Sequence, residues 1–249
     1  VSCGACVHQC PFGAIVDKPF VLDVLNLLKE SENNTKYKVY AVVAPAISSQ
    51  FTNARIEQVI TGIEKIGFYH AVEAALGADI VSYHEAHEFA ETIEEMKWKT
   101  TSCCPAFVDY VSKKFPELMD HVSKTVSPMV ATARLIKSLD EDAKIVFIGP
   151  CTAKKMEIKK DDIKDAVDLV ITFEELQAML DAMNIELEKC EDSVLDNASF
   201  YGRLFARSGG VSEAVKQVVG HEKFNVEFKP VAADGLDACT KILRLAKAG

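Results

Sequence analysis

Residues 144–155 carry the sequence KIVFIGPCTAKK, in which an apolar run leads directly into a Gly-Pro turn and a cysteine. The run Lys144–Ile148 is apolar at every position after the lysine, a pattern typical of a strand buried on both faces. Such strands belong to parallel sheets covered by helices, and ligands bind where the strands end and the chain turns into the next element. The sequence therefore predicts an α/β fold with a functional turn at residues 149–152.

Short apolar runs and helical periods alternate along the rest of the chain. The predicted strands are Tyr37–Val43, His70–Ala75, Leu169–Phe173 and Phe224–Val231, and the predicted helices are Ala54–Ile66, Glu85–Met96 and Phe173–Met183. Two sets of such elements favour two lobes, at about 36–140 and 141–249, each with a largely parallel sheet flanked by helices. We expect the functional site in the cleft between these lobes.

The first 30 residues are expected to form a separate unit. Three of the eight cysteines lie within residues 3–10, and the polar sequence SENNT at residues 31–35 is the kind of break that separates structural units. A short helix over Pro19–Glu30 would connect the two parts. The chain opens on Val1 with neither Met nor a signal-peptide pattern, so we expect a piece of a longer protein.

Composition excludes several classes of function. The chain has 28 Lys and Arg against 37 Asp and Glu, a net charge of −9, which disfavours general binding to nucleic acid or to anionic membranes. The longest apolar stretch, Val39–Ile47, is far shorter than the ~20 residues of a membrane span and contains Pro45. Eight cysteines are too few for a disulfide scaffold in 249 residues. We expect a soluble, cytoplasmic protein whose cysteines bind metal or react as thiolates.

The first cysteine motif is typical of iron–sulfur ligation. Cys3, Cys6 and Cys10, followed by Pro11, form the pattern C-x2-C-x3-C-P, which is the last part of the bacterial ferredoxin run. In that run the final cysteine serves a different cluster, so Cys3 and Cys6 are predicted to bind one 4Fe-4S cluster and Cys10 another. A zinc site is the alternative, but it needs a second cysteine pair or a histidine pair, which this pattern lacks.

Three loops follow predicted strands and are candidates for the site. They are Ala44-Pro45-Ala46, the sequence TSCCPAF at residues 101–107, and GPCTAKK at residues 149–155. Adjacent cysteines such as Cys103 and Cys104 cannot both point into one small site without a strained turn. We therefore expect these two thiols to have separate tasks.

The second and third of these loops resemble the first two signature loops of the FeFe (iron-only) hydrogenases. The resemblance runs from Cys3 almost to the end of the chain and includes Ser127-Pro128 and the glycine turn at residues 208–211. It implies reversible oxidation of H2 to protons and electrons at an H-cluster, in which a 4Fe-4S cubane is joined to a two-iron centre carrying CO and cyanide. It also implies ferredoxin or a similar soluble electron carrier, and hydrogenase maturation proteins, as partners.

The resemblance assigns roles to individual residues. Cys104 and Cys151 match cubane ligands, and Cys103 matches the free cysteine that passes protons to the bridgehead amine of the two-iron centre. Lys154 matches the lysine that donates a hydrogen bond to a cyanide ligand. The backbone that lines the two-iron pocket corresponds to Ala44 and Pro45.

A proton relay is implied as well. Glu85 and Glu88 lie three residues apart and so share one face of a helix. Ser123 lies at the relay serine's distance after Cys104. The implied route is solvent, Glu88, Ser123, Glu85 and Cys103, although a solvated helix face is the alternative interpretation of the two glutamates.

The sequence also departs from the family pattern. Phe107 replaces a Trp, Gly149 a Met, Met129 a Gln and Thr92 an Arg at the outer end of the relay. The third signature, a glycine-rich loop with two cysteines, is absent from these residues, so we expect the chain to be inactive by itself. Cys190 and Cys239 are interpreted as inert thiols.

Two other functions stay open at this point. A hydrogen-sensing regulatory protein would keep the same ligands and turn over slowly. A non-catalytic iron–sulfur assembly protein would keep the cubane cysteines and lack the proton-shuttling one. The combination of Cys103, Lys154, Glu85 and Glu88 disfavours the second of these.

Overall fold

The structure is a computed structural model that describes residues 4–195 and 198–248. Its strands are β1 Val39–Val43, β2 His70–Glu73, β3 Lys144–Gly149 and β4 Leu169–Thr172. Its helices are α1 Ala5–Gln9, α2 Val21–Glu30, α3 Ile47–Gln50, α4 Ile56–Lys65, α5 Ala75–Met96, α6 Pro105–Lys114, α7 Pro128–Leu139, α8 Ala153–Glu157, α9 Phe173–Ala182, α10 Phe200–Arg203, α11 Gly210–His221 and α12 Gly235–Ala248. Short 3-10 turns lie at Pro116–His121, Leu187–Lys189 and Leu204–Ala206.

The four strands form one parallel sheet in the order β2-β1-β3-β4. The two central strands are buried on both faces: Ala41 and Val42 of β1 and Val146 and Ile148 of β3 are fully inaccessible. Because β1 and β3 start in register, with Val39 opposite Lys144, their carboxyl ends lie side by side. The predicted α/β class, with parallel strands flanked by helices, is confirmed.

One detail of the prediction needs correction. The strands of the two expected lobes do not form separate sheets in the described part of the chain, because β1 from the first set pairs directly with β3 from the second. Both are short apolar runs, and pairing them in one sheet satisfies their backbone groups while burying both faces. Among the described residues, the candidate loops after β1 and β3 lie at the carboxyl edge of this single sheet.

The segment Phe224–Val231, predicted as a strand, does not form one in the structure. It follows α11 as an irregular stretch without a strand partner. Phe224, Val226 and Phe228 pack instead on Ala86 of α5 and on α11. The alternation of apolar residues therefore comes from one-sided packing on two helices and not from a sheet.

Helices α5 and α7 approach each other closely at Gly77. A Cβ at this position would lie 2.3 Å from the carbonyl oxygen of Pro128 and 2.3 Å from Oγ1 of Thr132. The backbone N–H of Gly77 donates to that same Thr132 hydroxyl at 3.1 Å. The close crossing sets the position of α5, which carries Glu85 and Glu88, against the segment that leads into α7.

A buried lysine attaches the N-terminal segment to the sheet. Lys155 of α8 pairs with Asp17 and, at 2.8 Å, with Glu175 of α9, and it donates to the carbonyl oxygen of Lys18 at 2.9 Å. Glu175 in turn accepts the backbone N–H of Phe20 at 2.6 Å. The region that carries the first cysteine motif is thereby held close to the turn after β3. Among the described helices, none combines the length and apolarity required to cross a membrane.

Candidate active site at the carboxyl edge of the sheet

Two of the candidate loops meet where β1 and β3 end. The backbone N–H of Ala44, just after β1, donates to the carbonyl oxygen of Ile148 at 2.8 Å. A Cβ added to Gly149, the last residue of β3, would lie 3.3 Å from the Cβ of Ala44. Ala44 is buried and Pro45 half-buried, while Cys151 follows in the turn before α8. Ala44, Pro45 and Cys151 therefore share one edge of the sheet, as parallel-sheet topology requires.

The loop with adjacent cysteines is held by a neighbouring segment of the chain. Thr100 and Val122 form an isolated parallel bridge, and the backbone N–H of Ser123 donates to the carbonyl oxygen of Thr100 at 2.8 Å. The hydroxyl of Ser102 donates to the carbonyl oxygen of Thr125 at 2.5 Å. These contacts bring the serine of the predicted relay beside the cysteine loop.

Cys103 and Cys104 face different surroundings. Cys104 is the residue before α6, which begins at Pro105, and its side chain is exposed. Cys103 is half-buried, with Oγ1 of Thr101 at 4.0 Å from its sulfur. Burial raises the pKa of the Cys103 thiol to about 12, and the nearby Glu85 raises it further while Lys154 lowers it. Cys103 is therefore a neutral thiol near pH 7, able to donate a proton.

Lys154 joins the two cysteine loops. Its ammonium donates to the carbonyl oxygen of Cys103 at 3.3 Å and pairs with Oε2 of Glu157 at 2.7 Å. Helices α6 and α8 pack against each other, which brings Cys104 and Cys151 near the same place. Burial raises the pKa of Cys151; Cys104 raises it as well, while the backbone N–H groups of Ala153 and Lys154 lower it.

The two glutamates and the serine lie close together. Ser123 donates its hydroxyl to Oε2 of Glu88 at 2.5 Å. Glu85 is buried, and its Oε1 accepts the backbone N–H of Ser102 at 3.3 Å. Burial raises the pKa of Glu85 to about 7; the Ser102 amide lowers it, Glu88 raises it, and Ser123 and Lys99 lower it. Among the described residues, Oε2 of Glu85 has no hydrogen-bond partner.

The N-terminal cysteines lie in a separate segment beside the turn after β3. Cys3 falls outside the described residues, whereas Cys6 is exposed and Cys10 half-buried. The backbone N–H groups of residues 12–15, with that of Phe12 contributing most, lower the pKa of the Cys10 thiol. A Cβ on Gly4 would lie 3.3 Å from Oγ1 of Thr152, so this segment packs against the loop that carries Cys151.

The candidate donor atoms of Cys104 and Cys151 are thiol sulfurs, which is the type of ligand that an iron–sulfur cluster takes. Cys104 and Cys151 are free thiols that converge, and thiolates are the ligands that such clusters take. Across residues 4–195 and 198–248, no group of three or more His, Cys, Asp or Glu side chains has the geometry to bind a metal ion. Cys104 and Cys151 are close enough for Cys104 to contribute to the raised pKa of Cys151.

Three residues near the site were not assigned roles from the sequence. Glu157 lies one helical turn after Lys154, a spacing that could have suggested the ion pair. Lys99 pairs with Glu88 through a tertiary contact that no sequence spacing indicates. Cys239, interpreted as inert, lies close enough to Cys104 that Cys104 contributes to its raised pKa, after burial. Cys190 is buried and its sulfur contacts Nζ of Lys65 at 3.6 Å.

The fold and the site define a class of α/β protein in which cysteine thiols and a buried carboxyl with a raised pKa lie near the carboxyl edge of a parallel sheet. Residues 37–249 match the family described as iron only hydrogenase large subunit, C-terminal domain. The match covers most of the chain, which belongs to this family.

Individual relatives agree with this assignment. The NADP-reducing hydrogenase subunit HndD of Solidesulfovibrio fructosivorans is 26% identical, over 96% of this chain and 46% of the relative. The structure of apo FeFe hydrogenase HydA1 from Chlamydomonas reinhardtii superimposes with a TM-score of 0.71 at 26% identity, covering 88% of this chain and 62% of that one. A shorter match, 38% identical over 35% of this chain and 19% of the relative, is to the cytosolic Fe-S cluster assembly factor NAR1 of Kluyveromyces lactis.

The chain spans about half the length of the curated hydrogenases that it matches, with 46%, 57% and 42% of three of them covered. The match to part of those proteins therefore does not by itself establish their binding partners or activity for this chain.

Proposed function

We propose that this chain provides the proton path and part of the cluster site of an iron-only hydrogenase, which interconverts H2 with two protons and two electrons. The observation that carries the proposal is the cluster of Glu88, Ser123 and Glu85, which lies beside Cys103 and near two other cysteines. A proton route that leads to a thiol next to soft metal ligands is what such a reaction requires.

Cys104 and Cys151 would hold the cubane of the H-cluster in this proposal. When bound, the H-cluster supplies the chemistry of the H–H bond and stores the electrons. The ammonium of Lys154, already fixed by Glu157, would donate a charge-assisted hydrogen bond to a cyanide ligand. The buried turn at Ala44 and Pro45 would line the two-iron pocket and exclude water from it.

Four side chains would carry the protons. Cys103, neutral near pH 7, offers its thiol proton and is restored by the carboxyl of Glu85, whose pKa of about 7 allows it to donate or accept at physiological pH. Ser123 exchanges one proton for another between Glu85 and Glu88. Glu88, with 21% of its side chain exposed, exchanges protons with solvent.

Electrons would enter or leave through the N-terminal unit. In the proposed division, residues 1–30 form a ferredoxin-like unit in which Cys3, Cys6 and Cys10 bind 4Fe-4S clusters, and residues 36–249 belong to the catalytic domain. The packing of Gly4 against Thr152 supports a short electron path to Cys151. A soluble carrier such as ferredoxin would be the electron partner, and maturation proteins would deliver the two-iron centre.

The test uses the complete protein, matured anaerobically with its two-iron centre and with its iron content verified. Hydrogen evolution from a reduced viologen dye should be measurable, and Cys103→Ser should abolish most of it while the cubane spectrum is retained. Cys190→Ser, which changes a buried cysteine outside the site, is the matched control. An inactive wild-type protein with a full complement of iron would refute the proposal.

A role in iron–sulfur assembly is the second candidate, because part of the chain is 38% identical to the assembly factor NAR1. Under this alternative, Cys104 and Cys151 would still bind a cluster, but Cys103→Ser and Glu85→Gln would have no effect on any activity. The same preparation distinguishes the two, since cluster binding without hydrogen evolution would favour the assembly role.

A further inference from the structure

A lysine with a nearly buried side chain lies beside the outer carboxylate of the proposed proton path. The side chain of Lys99 is 9% exposed, and its Nζ lies 2.6 Å from Oε1 of Glu88. Helix α5 ends at Met96, and Lys97 adopts a φ of 67°, so the chain reverses and brings Lys99 back alongside the helix. Burying an ammonium is costly unless it is paired. Loss of this contact should therefore lower the stability of the fold more than loss of a surface ion pair would.

Lys99 shares Glu88 with two other donors. The hydroxyl of Ser123 donates to Oε2 at 2.5 Å, and the backbone N–H of Lys124 donates to Oε1 at 3.2 Å. Burial alone would raise the pKa of Glu88, but Lys99, Ser123 and the Lys124 amide together hold it below its ordinary value. Of these three donor groups, the ammonium alone carries a formal charge, and charged donors make the stronger hydrogen bonds.

Helix α5 itself has no cation one turn after Glu88, where a basic side chain could reach the carboxylate. Thr92 lies one turn beyond Glu88 on α5, but its hydroxyl donates to the backbone carbonyl of Glu88 at 2.6 Å. The charged groups that act on this carboxylate include Lys99, from the segment after α5, and Glu85, from α5 itself. Without Lys99, Glu85 and Glu88 would titrate as a coupled pair, and the negative charge of each would raise the pKa of the other.

We infer that Lys99 is a positioning residue of the proton path, whose ammonium binds Oε1 of Glu88, favours the ionised carboxylate and directs its Oε2 to the Ser123 hydroxyl. This inference rests on the proposed function. When Glu85 gives its proton to Oγ of Ser123, the hydroxyl proton of Ser123 passes to Oε2 of Glu88. One proton moves outward, Ser123 is unchanged and Lys99 keeps its own protons; the inward transfer is the same sequence reversed.

The first test needs neither iron nor turnover. The 249-residue chain, labelled with glutamate carrying carbon-13 at the carboxyl, is titrated by NMR, with Glu88→Gln used to assign the signal. In Lys99→Met the midpoint of the Glu88 titration should rise by about one pH unit, because a cation within about 4 Å lowers a carboxyl pKa by at least that much. Lys99→Arg should leave the midpoint near its wild-type value.

Moving the positive charge to another residue distinguishes the effect of the Lys99 charge on Glu88 from the effect of its packing. In the double variant Lys99→Met, Thr92→Arg, the new cation stands four residues after Glu88 on the same helix face, so the midpoint should move back down. Lys113→Met, which removes an exposed lysine of α6, is the matched control and should change nothing. If Lys99→Met does not fold, Lys99→Gln carries the same test with a polar side chain. A folded neutral variant with an unshifted Glu88 midpoint would overturn the inference.

The second test separates this inference from the proposed function. In the complete, matured enzyme, Lys99→Met should lower hydrogen turnover several-fold at pH 7, because Oε2 of Glu88 is no longer held towards Ser123, and it should move the acidic limb of the pH profile upward. Lys99→Arg should restore both. An active wild type whose Lys99→Met variant keeps the same rate and pH profile would refute the role of Lys99 alone. A wild type without turnover would refute the hydrogenase proposal, and with it this role, whatever the NMR titration gives.

Discussion

Glu85 binds the backbone N–H of Ser102 through Oε1, at 3.3 Å, and its buried Oε2 has no hydrogen-bond partner among the described residues. Each carboxyl oxygen therefore has a different environment. The Ser102 amide, Ser123 and Lys99 do not compensate the removal of this carboxylate from water, so burial raises the pKa of Glu85 to about 7. The fold thus keeps an acid protonated at the pH where most carboxyls are ionised.

This relationship makes the stability of the chain depend on pH. Because the pKa of Glu85 is higher in the folded state than its ordinary 4.5, its contribution to stability is complete below about pH 4.5 and is lost as the pH rises through about 7. The full loss is roughly 3 kcal/mol. Glu85→Gln cannot ionise, so its free energy of unfolding in urea should exceed that of the wild type by about 2 kcal/mol more at pH 8 than at pH 5.

The exposed Glu91 on the same helix provides the control, since Glu91→Gln should give the same difference from wild type at both pH values. A Glu85→Gln variant whose advantage does not grow with pH would contradict the raised pKa.

The crossing of α5 and α7 predicts an asymmetric response of two glycines. In Gly77→Ala the new methyl group would lie 2.3 Å from the backbone oxygen of Pro128, which cannot move without separating the helices. We expect a loss of about 2 to 3 kcal/mol in the free energy of unfolding. Gly220→Ala, on α11, meets no atom within 4 Å and should stabilise the chain by about 0.5 kcal/mol. Equal effects in urea titrations of the two variants would rule out the close crossing.

Sequence patterns were sufficient for the elements that depend on local composition. The run from Lys144 predicted β3, because a strand buried on both faces leaves a continuous apolar signal. The same reasoning failed at Phe224–Val231, since apolar alternation reports burial of one side and not the partner that buries it. The pairing of β1 with β3 was likewise beyond reach, because strand order depends on long-range packing that period and composition do not record.

The site divides in the same manner. Cys104, Cys151 and Lys154 were predicted from motifs, in which short spacing fixes several residues on one turn. The role expected for Glu88 came from the resemblance, with its helical spacing to Glu85 as support. Its partner Lys99 was not predicted, because the contact depends on the reversal of the chain at Lys97.

The attachment of the N-terminal segment gives a further prediction. Lys155→Met leaves the carboxylates of Asp17 and Glu175 facing each other without their shared cation, at a cost of about 3 kcal/mol or more. Amide hydrogen exchange at Phe20, whose N–H binds Glu175, should therefore accelerate by at least 10²-fold, taking about 1.4 kcal/mol for each tenfold. Lys160→Met, at an exposed position three residues after α8, should leave this exchange unchanged. Unaltered protection of Phe20 in Lys155→Met would show that other contacts hold the segment.

The ion pair between Lys154 and Glu157 should be worth far more than a surface pair at the same spacing. Both side chains are nearly buried, at 11% and 8% exposure, whereas Lys189 and Glu186 are 72% and 60% exposed. Glu157→Gln leaves a buried ammonium with a neutral carbonyl acceptor from Cys103, and the free energy of unfolding should fall by about 3 kcal/mol. Glu186→Gln should change it by less than about 0.5 kcal/mol.

A double-mutant cycle identifies the cause of that loss. Once Lys154→Met has removed the ammonium, Glu157→Gln no longer strands a charge, so most of its cost should disappear in the double variant. The cycle is measured by urea unfolding of the four proteins at pH 7. If Glu157→Gln costs as much without Lys154 as with it, the loss comes from the packing of Glu157 in α8, and the carboxylate does not hold the ammonium in place beside the cysteine loop.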